Sequence, residues 1–205
     1  MSKVIADVSM SLDGFIAGTD VGVEVPMGKG GEKLHDWLYE GNAGRSGGSS
    51  QTSASGVDAE IAKELSATVG ATVVGRRMFD VGVGSWEDTL YPVPCFVLTH
   101  EDREELVMES GAFTFVTDGI ESALRQSREA AGEKDIIVMG GANIVQQFLR
   151  AGLVDEMSIH LVPMLLGGGI RLFDHIGKEH IELESTRVID SPSVTHLGYR
   201  VGKEN

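Results

Sequence analysis

Cysteine is nearly absent from the sequence, since Cys95 is the single example among 205 residues. One cysteine cannot form an internal disulfide or a thiolate zinc cluster, so we expect no metal site of that kind. Basic residues are also few: 17 Lys and Arg stand against 31 Asp and Glu, which gives a formal net charge of -14. Because nucleic-acid phosphates are bound by basic patches, this balance argues against a nucleic-acid partner. An acidic protein can still bind a phosphorylated small molecule through a few focused groups.

Long apolar segments are missing as well. No run approaches the roughly 18 apolar residues of a membrane-spanning helix, and the N-terminus reaches Asp7 without the apolar core of a signal peptide. Proline is rare, with 5 residues, while 41% of the chain is hydrophobic. We therefore expect one globular domain over 1–205, a reducing cytoplasmic location and no membrane partner.

Strands and helices alternate along the chain up to Gly152. Continuous apolar runs predict buried strands, and apolar residues spaced three and four apart predict the helices between them. The predicted elements are strands at 3–10, 71–75, 94–99, 111–116 and 135–139, helices at 57–69, 120–132 and from 144 to Gly152, and a helical turn at 76–80. Strands that alternate with helices in this way form a parallel sheet.

The pattern changes beyond Gly152. Polar residues, His160 among them, alternate with apolar ones over 156–161, which is the period of a strand with one exposed face. Similar alternation occurs at 181–184 and 197–201, and a short apolar strand is predicted at 163–166. The predicted fold class is α/β: a three-layer α/β/α arrangement whose central sheet is mainly parallel, with antiparallel strands at the C-terminal end.

A long stretch at 19–56 has little periodicity apart from a short apolar face around Trp37. Its second half, 41–56, is almost entirely small and polar, so it buries too little apolar surface to offset the entropy of ordering. We interpret it as a mobile flap over an active site, with a plain linker as the alternative. Trp37 is then a candidate to stack on a flat substrate ring, or else an apolar anchor that packs the loop down.

Two predicted strands end in glycine turns that lead into helices. Gly140-Gly141 follows one strand, and Gly75-Arg76-Arg77 follows another. Because ligands of open α/β sheets bind outside the carboxyl ends of the strands, both turns are expected to face one cleft, with Thr99-His100 at a third strand end. Backbone N–H groups at a helix start and guanidinium groups both bind phosphate. Each part has an ordinary alternative: a tight turn, arginines paired with surface acids, or a solvated histidine.

The phosphate-binding groups at these three strand ends suit a dinucleotide that carries an extra ribose phosphate. A G-x-G-x-x-G sequence after the first strand is missing, so the common dinucleotide fingerprint does not apply. The triplet Gly167-Gly168-Gly169 is open to three interpretations: a turn, a bulge, or backbone that approaches a ligand closely.

Four segments together resemble the dihydrofolate reductase superfamily. They are Ser11-Leu12-Asp13-Gly14-Phe15-Ile16-Ala17, Val74-Gly75-Arg76-Arg77-Met78-Phe79, Val138-Met139-Gly140-Gly141-Ala142 and Leu161-Val162-Pro163-Met164-Leu165-Leu166-Gly167-Gly168-Gly169. The resemblance spans nearly the whole chain in order. Within the superfamily, the sequence is most similar to the branch that includes the C-terminal reductase domain of bacterial riboflavin biosynthesis protein.

The resemblance implies a dihydrofolate reductase-like fold that binds NADPH across the strand ends. By analogy, two residues flank the nicotinamide, and the others bind the phosphates and the adenosine 2′-phosphate. The implied cofactor residues are Ile16, Ala17, Gly75, Arg76, Arg77, Thr99, His100, Met139, Gly140, Gly141, Ala142, Asn143 and Ile144. A zinc deaminase domain, which often accompanies such reductases, is excluded here because its paired cysteines are missing.

The proton donor is open between two acids. Folate reductases place a carboxylate on the first long helix, where Asp58 is the comparable residue, whereas Asp13 ends the first strand at the expected cleft. Each also has a structural interpretation, a helix cap for Asp58 and a turn former for Asp13.

The resulting hypothesis is an NADPH-dependent reductase of a small heterocyclic or sugar-derived substrate. The branch it resembles suggests 5-amino-6-(5-phosphoribosylamino)uracil. The alternatives are a dihydrofolate, pterin or other carbonyl reductase, and a non-catalytic NADP-binding module. A homodimer is expected because exposed edge strands at the C-terminal end require cover.

Overall fold

The computed structural model describes residues 2–39, 56–86, 88–89, 91–109 and 111–202. The prediction of a flap at 41–56 falls outside the described residues, apart from Gly56, which begins a helix. The rest of the long stretch is described, and it includes a 3₁₀ helix at Gly31–Leu38. This helix carries the predicted apolar face, with Leu34 and Trp37 buried.

Most of the described strands and helices follow the predicted order, whereas three short strands, at 15–17, 106–107 and 170–171, were not predicted. The strands are β1 Val4–Ser11, β2 Phe15–Ala17, β3 Val69–Gly75, β4 Cys95–Leu98, β5 Leu106–Val107, β6 Ala112–Val116, β7 Asp135–Gly140, β8 Glu156–Val162, β9 Ile170–Arg171, β10 Leu183–Asp190 and β11 Thr195–Val201. The helices are α1 Gly56–Thr68, α2 Arg76–Gly82, α3 Ile120–Ala131 and α4 Ala142–Arg150, with a second 3₁₀ helix at Val83–Ser85.

The large sheet has the strand order β10-β11-β8-β1-β7-β3-β4-β6-β5. The pairs from β8 through β1, β7, β3 and β4 to β6 are parallel. Strands β11 and β10 extend one edge in antiparallel pairing, and β5 pairs antiparallel at the other edge. The predicted α/β fold, a mainly parallel central sheet with antiparallel C-terminal strands, is confirmed.

The core lies between the central strands and the helices that pack on them. All seven residues of β3 are buried, which explains why its sequence is apolar without alternation. Helix α4 buries Ile144, Val145 and Phe148, the predicted apolar face, and contacts β7 and β3. Each such side chain contributes about 1.5–3 kcal/mol by leaving water, so the predicted strand and helix faces hold the sheet and helices together.

The strand predicted at 163–166 is wrong, because this segment is irregular in the structure. Its backbone bonds to the turn after β1: Leu12 N donates to Met164 O at 2.9 Å, and Leu166 N donates to the Asp13 carboxylate at 3.1 Å. Leu165 points outward and is 70% exposed. An apolar run therefore forms a loop here because local turn partners satisfy its backbone groups. The strand predicted at 181–184 begins only at Leu183, as part of β10.

Among the described helices, none is long and apolar enough to cross a membrane.

Candidate active site

A cavity of about 1380 Å³ lies where the carboxyl ends of β3, β4 and β7 meet the 3₁₀ helix at Gly31–Leu38. Most of the residues predicted to form the site line it, although they come from distant parts of the chain. Those lining it are Ile16, Ala17, Trp37, Gly75, Arg76, Arg77, Thr99, His100, Met139, Gly141, Ala142, Asn143 and Ile144. Gly140, Asp13 and Asp58 are not among its lining residues. Its volume exceeds that of an ordinary drug-sized pocket, so it has room for a cofactor and a substrate together.

The turn between β7 and α4 leaves its backbone open to the cavity. Gly140 has φ 122°, a conformation that favours glycine, and the Gly140–Gly141 peptide bond is cis. Gly141 is the N-cap of α4, without a side-chain hydrogen bond to the first turn. A Cβ built on Gly141 meets nothing within 4 Å, so this face of the turn is accessible. The start of α4 can therefore present N–H groups to an anion.

Gly75 permits close packing of two site elements. A Cβ at Gly75 would lie 2.9 Å from Ile144 Cγ1, closer than real side-chain contacts. The glycine thus lets α4 approach the end of β3, which brings the two glycine turns to one edge of the cavity.

The two arginines after β3 differ in their partners. Arg76 Nη1 lies 2.8 Å from Asp80 and 3.5 Å from Glu101. Arg103 joins the same cluster at 2.6 Å from each acid, and the Asp80 hydrogen bond is the main cause that raises the Arg103 pKa. Among the described residues, Arg77 donates a 3.3 Å hydrogen bond to the backbone carbonyl of Val21. Arg76 is therefore already paired with acids, whereas the Arg77 guanidinium retains donors for a ligand.

Thr99 and His100 lie at the end of β4, as predicted. Thr99 is 5% exposed, and its hydroxyl accepts a hydrogen bond from Glu101 N at 3.0 Å. His100 is exposed and lines the cavity. The hydroxyl of Thr99 therefore shapes the loop, while the imidazole of His100 faces solvent and the cavity.

Asp13 forms a turn contact away from the cavity lining. Its carboxylate accepts hydrogen bonds from Ser11 Oγ at 2.6 Å, Leu166 N at 3.1 Å and Gly167 N at 2.8 Å. The Ser11 hydroxyl and these backbone donors lower the pKa of Asp13 to about 2. Asp13 thus ties the turn after β1 to the loop before β9, which matches its structural interpretation as a turn former.

Asp58 lies in the first turn of α1, where its side chain is directed into the protein. Its Oδ1 is 3.0 Å from His196 Nε2, and Ser193 Oγ donates to Oδ2 at 3.3 Å. The residue is 8% exposed. This carboxylate is engaged with the C-terminal strands and sits one layer behind the cavity.

The carboxylate that does line the cavity from β1 is Asp7, which sequence reasoning missed. In the sequence Asp7 interrupts a buried apolar run, and this interruption is the signal that could have identified it as a site residue. Its Oδ2 lies 3.1 Å from His160 Nε2. The alternation over 156–161 places His160 on an exposed face, and that expectation is wrong: His160 is 1% exposed. Strand β11 covers it, since His196 pairs with His160 across β11 and β8.

Trp37 packs on these histidines. Its ring centroid is 4.4 Å from that of His160 and 5.0 Å from that of His196, and its Nε1 donates to Ser9 Oγ at 3.0 Å. Trp37 is 7% exposed, so it anchors the 3₁₀ helix while its remaining surface lines the cavity.

His35 lines the same part of the cavity. Its buried Nδ1 has no hydrogen-bond partner among the described residues. Burial, followed by repulsion from His160, lowers the pKa of His35 to about 4. The imidazole is therefore neutral near pH 7. Within the residues that the structure describes, no group of three side chains could hold a metal ion.

The sheet order and the cleft at the strand ends define an α/β protein with a dihydrofolate reductase-like fold. The chain belongs to the RibD C-terminal domain family, whose model matches residues 2–196.

Similar solved structures support the fold, and a curated relative matches most of the chain. Protein YwjB of Bacillus subtilis (strain 168), described as uncharacterized, is 24% identical over 191 residues, which cover 90% of this chain and 91% of that protein. A structure from Shewanella sp. PV-4, named for riboflavin biosynthesis, has a TM-score of 0.67 at 23% identity and covers 99% of this chain and 100% of its own. Dihydrofolate reductase from Enterococcus faecalis, complexed with NADP(H), has a TM-score of 0.57 at 12% identity, covering 98% and 97%.

Other relatives are longer than this chain. The Thermotoga maritima diaminohydroxyphosphoribosylaminopyrimidine deaminase/5-amino-6-(5-phosphoribosylamino)uracil reductase has a TM-score of 0.60 at 14% identity, with 97% of this chain and 56% of that chain covered. The present chain thus spans about half of that two-activity protein.

Proposed function

We propose that this protein is an NADPH-dependent reductase that transfers hydride to a C=N or C=O carbon of a small substrate. The observation that carries the proposal is the single cleft in which two glycine turns, Arg77 and the cavity-lining carboxylate of Asp7 are combined. Members of the family include reductases, and a neighbour of the same fold is complexed with NADP(H). The cofactor would supply the hydride, and the protein would orient the reactants and exclude water.

The residues at the strand ends fit a dinucleotide. The open face of Gly141 and the uncapped first turn of α4 suit the pyrophosphate. Arg77, which is not committed to an acid among the described residues, suits the ribose phosphate better than Arg76. Ile16 and Ala17 provide an apolar wall for the nicotinamide. The remaining predicted cofactor residues keep their assignment as part of this proposal.

For the proton donor, we favour Asp7 over Asp13 and Asp58. A proton donor must lie within hydrogen-bond reach of the substrate, directly or through a water molecule. Asp7 lines the cavity, whereas the carboxylate of Asp13 is taken up by the turn and that of Asp58 by His196.

The family supports 5-amino-6-(5-phosphoribosylamino)uracil as the first substrate to test. A second candidate, an unphosphorylated pterin or related heterocycle, is favoured by the charges of the cavity. Among its described lining residues, the Lys and Arg side chains are Arg76 and Arg77, both at the cofactor end. The described acids that line the cavity are more numerous: Asp7, Glu24, Glu32, Asp36 and Asp88. A substrate phosphate would meet net repulsion from these acids, whereas a neutral ring would not.

The test combines cofactor binding with turnover. Fluorescence titration measures NADPH and NADH binding, and loss of NADPH absorbance measures reduction of the phosphorylated pyrimidine, its dephosphorylated form, dihydrofolate and a simple ketone. Turnover of the phosphorylated pyrimidine supports the first candidate, and preference for an unphosphorylated ring supports the second. Tight NADPH binding without turnover of any of the four substrates supports a non-catalytic module. Absence of NADPH binding would contradict the proposal.

We also propose a homodimer. Strand β10 is an edge strand with exposed Leu183 and Val188. An apolar groove formed by β8, β11 and their neighbours continues from Leu183. Covering this edge with a second copy would bury unpaired backbone groups and apolar surface. Sedimentation velocity should give a dimer mass, and a monomer at micromolar concentration would contradict this.

A further inference from the structure

Four buried or half-buried ionisable side chains form a continuous hydrogen-bonded chain behind the cavity. Asp7 Oδ2 lies 3.1 Å from His160 Nε2, His160 Nδ1 lies 2.7 Å from His196 Nδ1, and His196 Nε2 lies 3.0 Å from Asp58 Oδ1. We call Asp7, His160, His196 and Asp58 the Asp-His-His-Asp chain. Each imidazole uses both ring nitrogens, so every link of the chain is made.

The two ends of the Asp-His-His-Asp chain are more exposed than its two histidines. The His160 and His196 side chains are 2% and 4% exposed, whereas the Asp7 and Asp58 side chains are each 12% exposed. Asp7 faces the cavity at one end. At the other end, Asp58 meets the hydroxyl of Ser193, which is an exposed residue. His160 also lines the cavity, so the chain borders the cavity at Asp7 and His160 and ends at Asp58, beside the exposed Ser193.

Counting protons shows what such a chain can do. An imidazole nitrogen either donates or accepts, so the contact between the two Nδ1 atoms holds one proton. Three contacts therefore hold three protons. In the first arrangement Asp7 is protonated and Asp58 is ionised. In the reverse arrangement Asp58 is protonated and Asp7 is ionised. The two arrangements differ by one short hop in each contact.

We propose that the Asp-His-His-Asp chain is a proton relay that returns a proton to Asp7 after each reduction, with His160, His196 and Asp58 as positioning and relay residues. This inference rests on the proposed function, because it takes Asp7 as the donor to substrate. It assigns proton transfer to His160, His196 and Asp58, which is a role that a purely structural ion pair does not have.

The step balances as follows. Reduction of a C=N bond would add a hydride, supplied by the cofactor, to carbon and a proton to nitrogen. Before this step the chain is in the reverse arrangement, and Asp7 carries a fourth proton on Oδ1, the oxygen that does not contact His160. This O–H bond breaks as the N–H bond of the product forms, which leaves Asp7 ionised. The proton on His160 Nε2 then moves to Asp7 Oδ2, that on His196 Nδ1 moves to His160 Nδ1, and that on Asp58 moves to His196 Nε2. Asp58 is left ionised and takes a proton from water. Both imidazoles then hold the opposite tautomer, and exchange of their ring protons with water restores the first tautomers before the next turnover.

Other charged or titratable groups face the chain from neighbouring elements. His35, on the 3₁₀ helix, interacts with His160 and Asp7, and Tyr91 interacts with Asp7. Arg187, on β10, opposes protonation of His196, whereas Asp58 favours it. Burial is the largest influence and lowers the pKa of His196. Burial thereby favours the neutral imidazole of His196, the state in which it can pass a proton on.

The test uses Asp58→Asn, which keeps the size of the side chain but cannot release a proton. We expect NADPH binding to be unchanged. Turnover should be close to wild type at about pH 5.5, where solvent protons are abundant, and should fall at least about tenfold at about pH 8. The loss should be larger at high pH because the substitution removes a negative charge, and without that charge the chain holds its protons less tightly. Asp58→Glu, which restores a carboxylate, should recover part of the loss.

The matched control is Glu60→Gln, which removes a carboxylate from the same helix. Glu60 is exposed and does not line the cavity. Its pH profile should follow the wild type. An equal loss of turnover in Asp58→Asn at every pH, or the same change in Glu60→Gln, would overturn the relay.

A second measurement does not depend on activity. The ring ¹⁵N signals of His160 and His196 report which nitrogens carry protons. In a relay, Asp58→Asn shifts the His160 signals as well as those of His196, and Asp7→Asn shifts those of His196. If each substitution changes only the adjacent histidine, the relay is wrong even where NADPH is oxidised. If NADPH does not bind but the signals are coupled, the proposed function fails while the chain stands.

Discussion

Three aspartates show how local surroundings separate residues of the same chemistry. Asp13 meets a hydroxyl and backbone N–H groups at the surface, which explains its low pKa and its turn role. Asp58 meets a buried imidazole, and Asp7 meets both an imidazole and the cavity. Of these three aspartates only Asp7 lines the cavity, so we propose it as the one that contacts a ligand and receives a proton from the chain.

The arginine pair gives a prediction at the same scale. Arg77→Ala should weaken NADPH binding by about 1–2 kcal/mol, roughly tenfold, and leave NADH binding nearly unchanged, because we propose that this guanidinium binds the extra phosphate. Arg76→Ala should cost less, since Asp80 and Glu101 already occupy Arg76. Fluorescence titration with both cofactors measures the difference.

Arg125→Ala is the control for this pair, because Arg125 bonds to Ser122 on α3 and does not line the cavity. A larger effect from Arg76→Ala than from Arg77→Ala, or equal weakening of NADH, would contradict the phosphate assignment.

At the scale of elements, the site depends on how closely α4 approaches β3. Gly75→Ala should destabilise the protein by about 1–3 kcal/mol, because its Cβ would lie 2.9 Å from Ile144 Cγ1. Adding Ile144→Ala removes the clashing atom, so the two costs should be less than additive by about 0.5 kcal/mol or more. Denaturant unfolding of the two single variants and the double variant measures this coupling.

Gly84→Ala provides the comparison, because a Cβ at Gly84 meets nothing within 4 Å. We expect a change within about 0.5 kcal/mol. Strict additivity of Gly75→Ala and Ile144→Ala would show that a Cβ added at position 75 does not clash with Ile144.

For the whole molecule, the half-buried imidazole of His35 makes stability depend on pH. The pKa of His35 is lowered from 6.5 to about 4 in the folded state. Between these values the unfolded chain binds more protons, so stability should fall as pH drops from about 6.5 to about 4. His35→Gln should remove about 2 kcal/mol of that fall. Thermal or denaturant unfolding across this pH range tests it.

The control for pH-dependent stability is His180→Gln, since His180 is exposed. It should leave the pH dependence as in the wild type. An unchanged slope in His35→Gln would mean that burial does not keep this imidazole neutral.

The sequence by itself determined the main elements and most of the predicted residues that line the cavity. Apolar runs such as β3 and the face of α4 follow from backbone periodicity, which each segment carries within a few residues. Glycine turns after Gly75 and Met139 are equally local, because glycine supplies conformations and close approach that other residues exclude. The strand predicted at 163–166 does not form, because Leu166 N donates its hydrogen bond to the carboxylate of Asp13, 153 positions away in the sequence.

Only the tertiary structure decided the composition of the Asp-His-His-Asp chain. Its links join residues 153, 36 and 138 positions apart. The alternation around His160 indicates a half-exposed strand, but β11 pairs beside it and the 3₁₀ helix with Trp37 covers its ring. Periodicity states which residues share a face of a strand. Whether that face meets water or other side chains depends on sheet order, and sheet order is set by the packing of the whole chain.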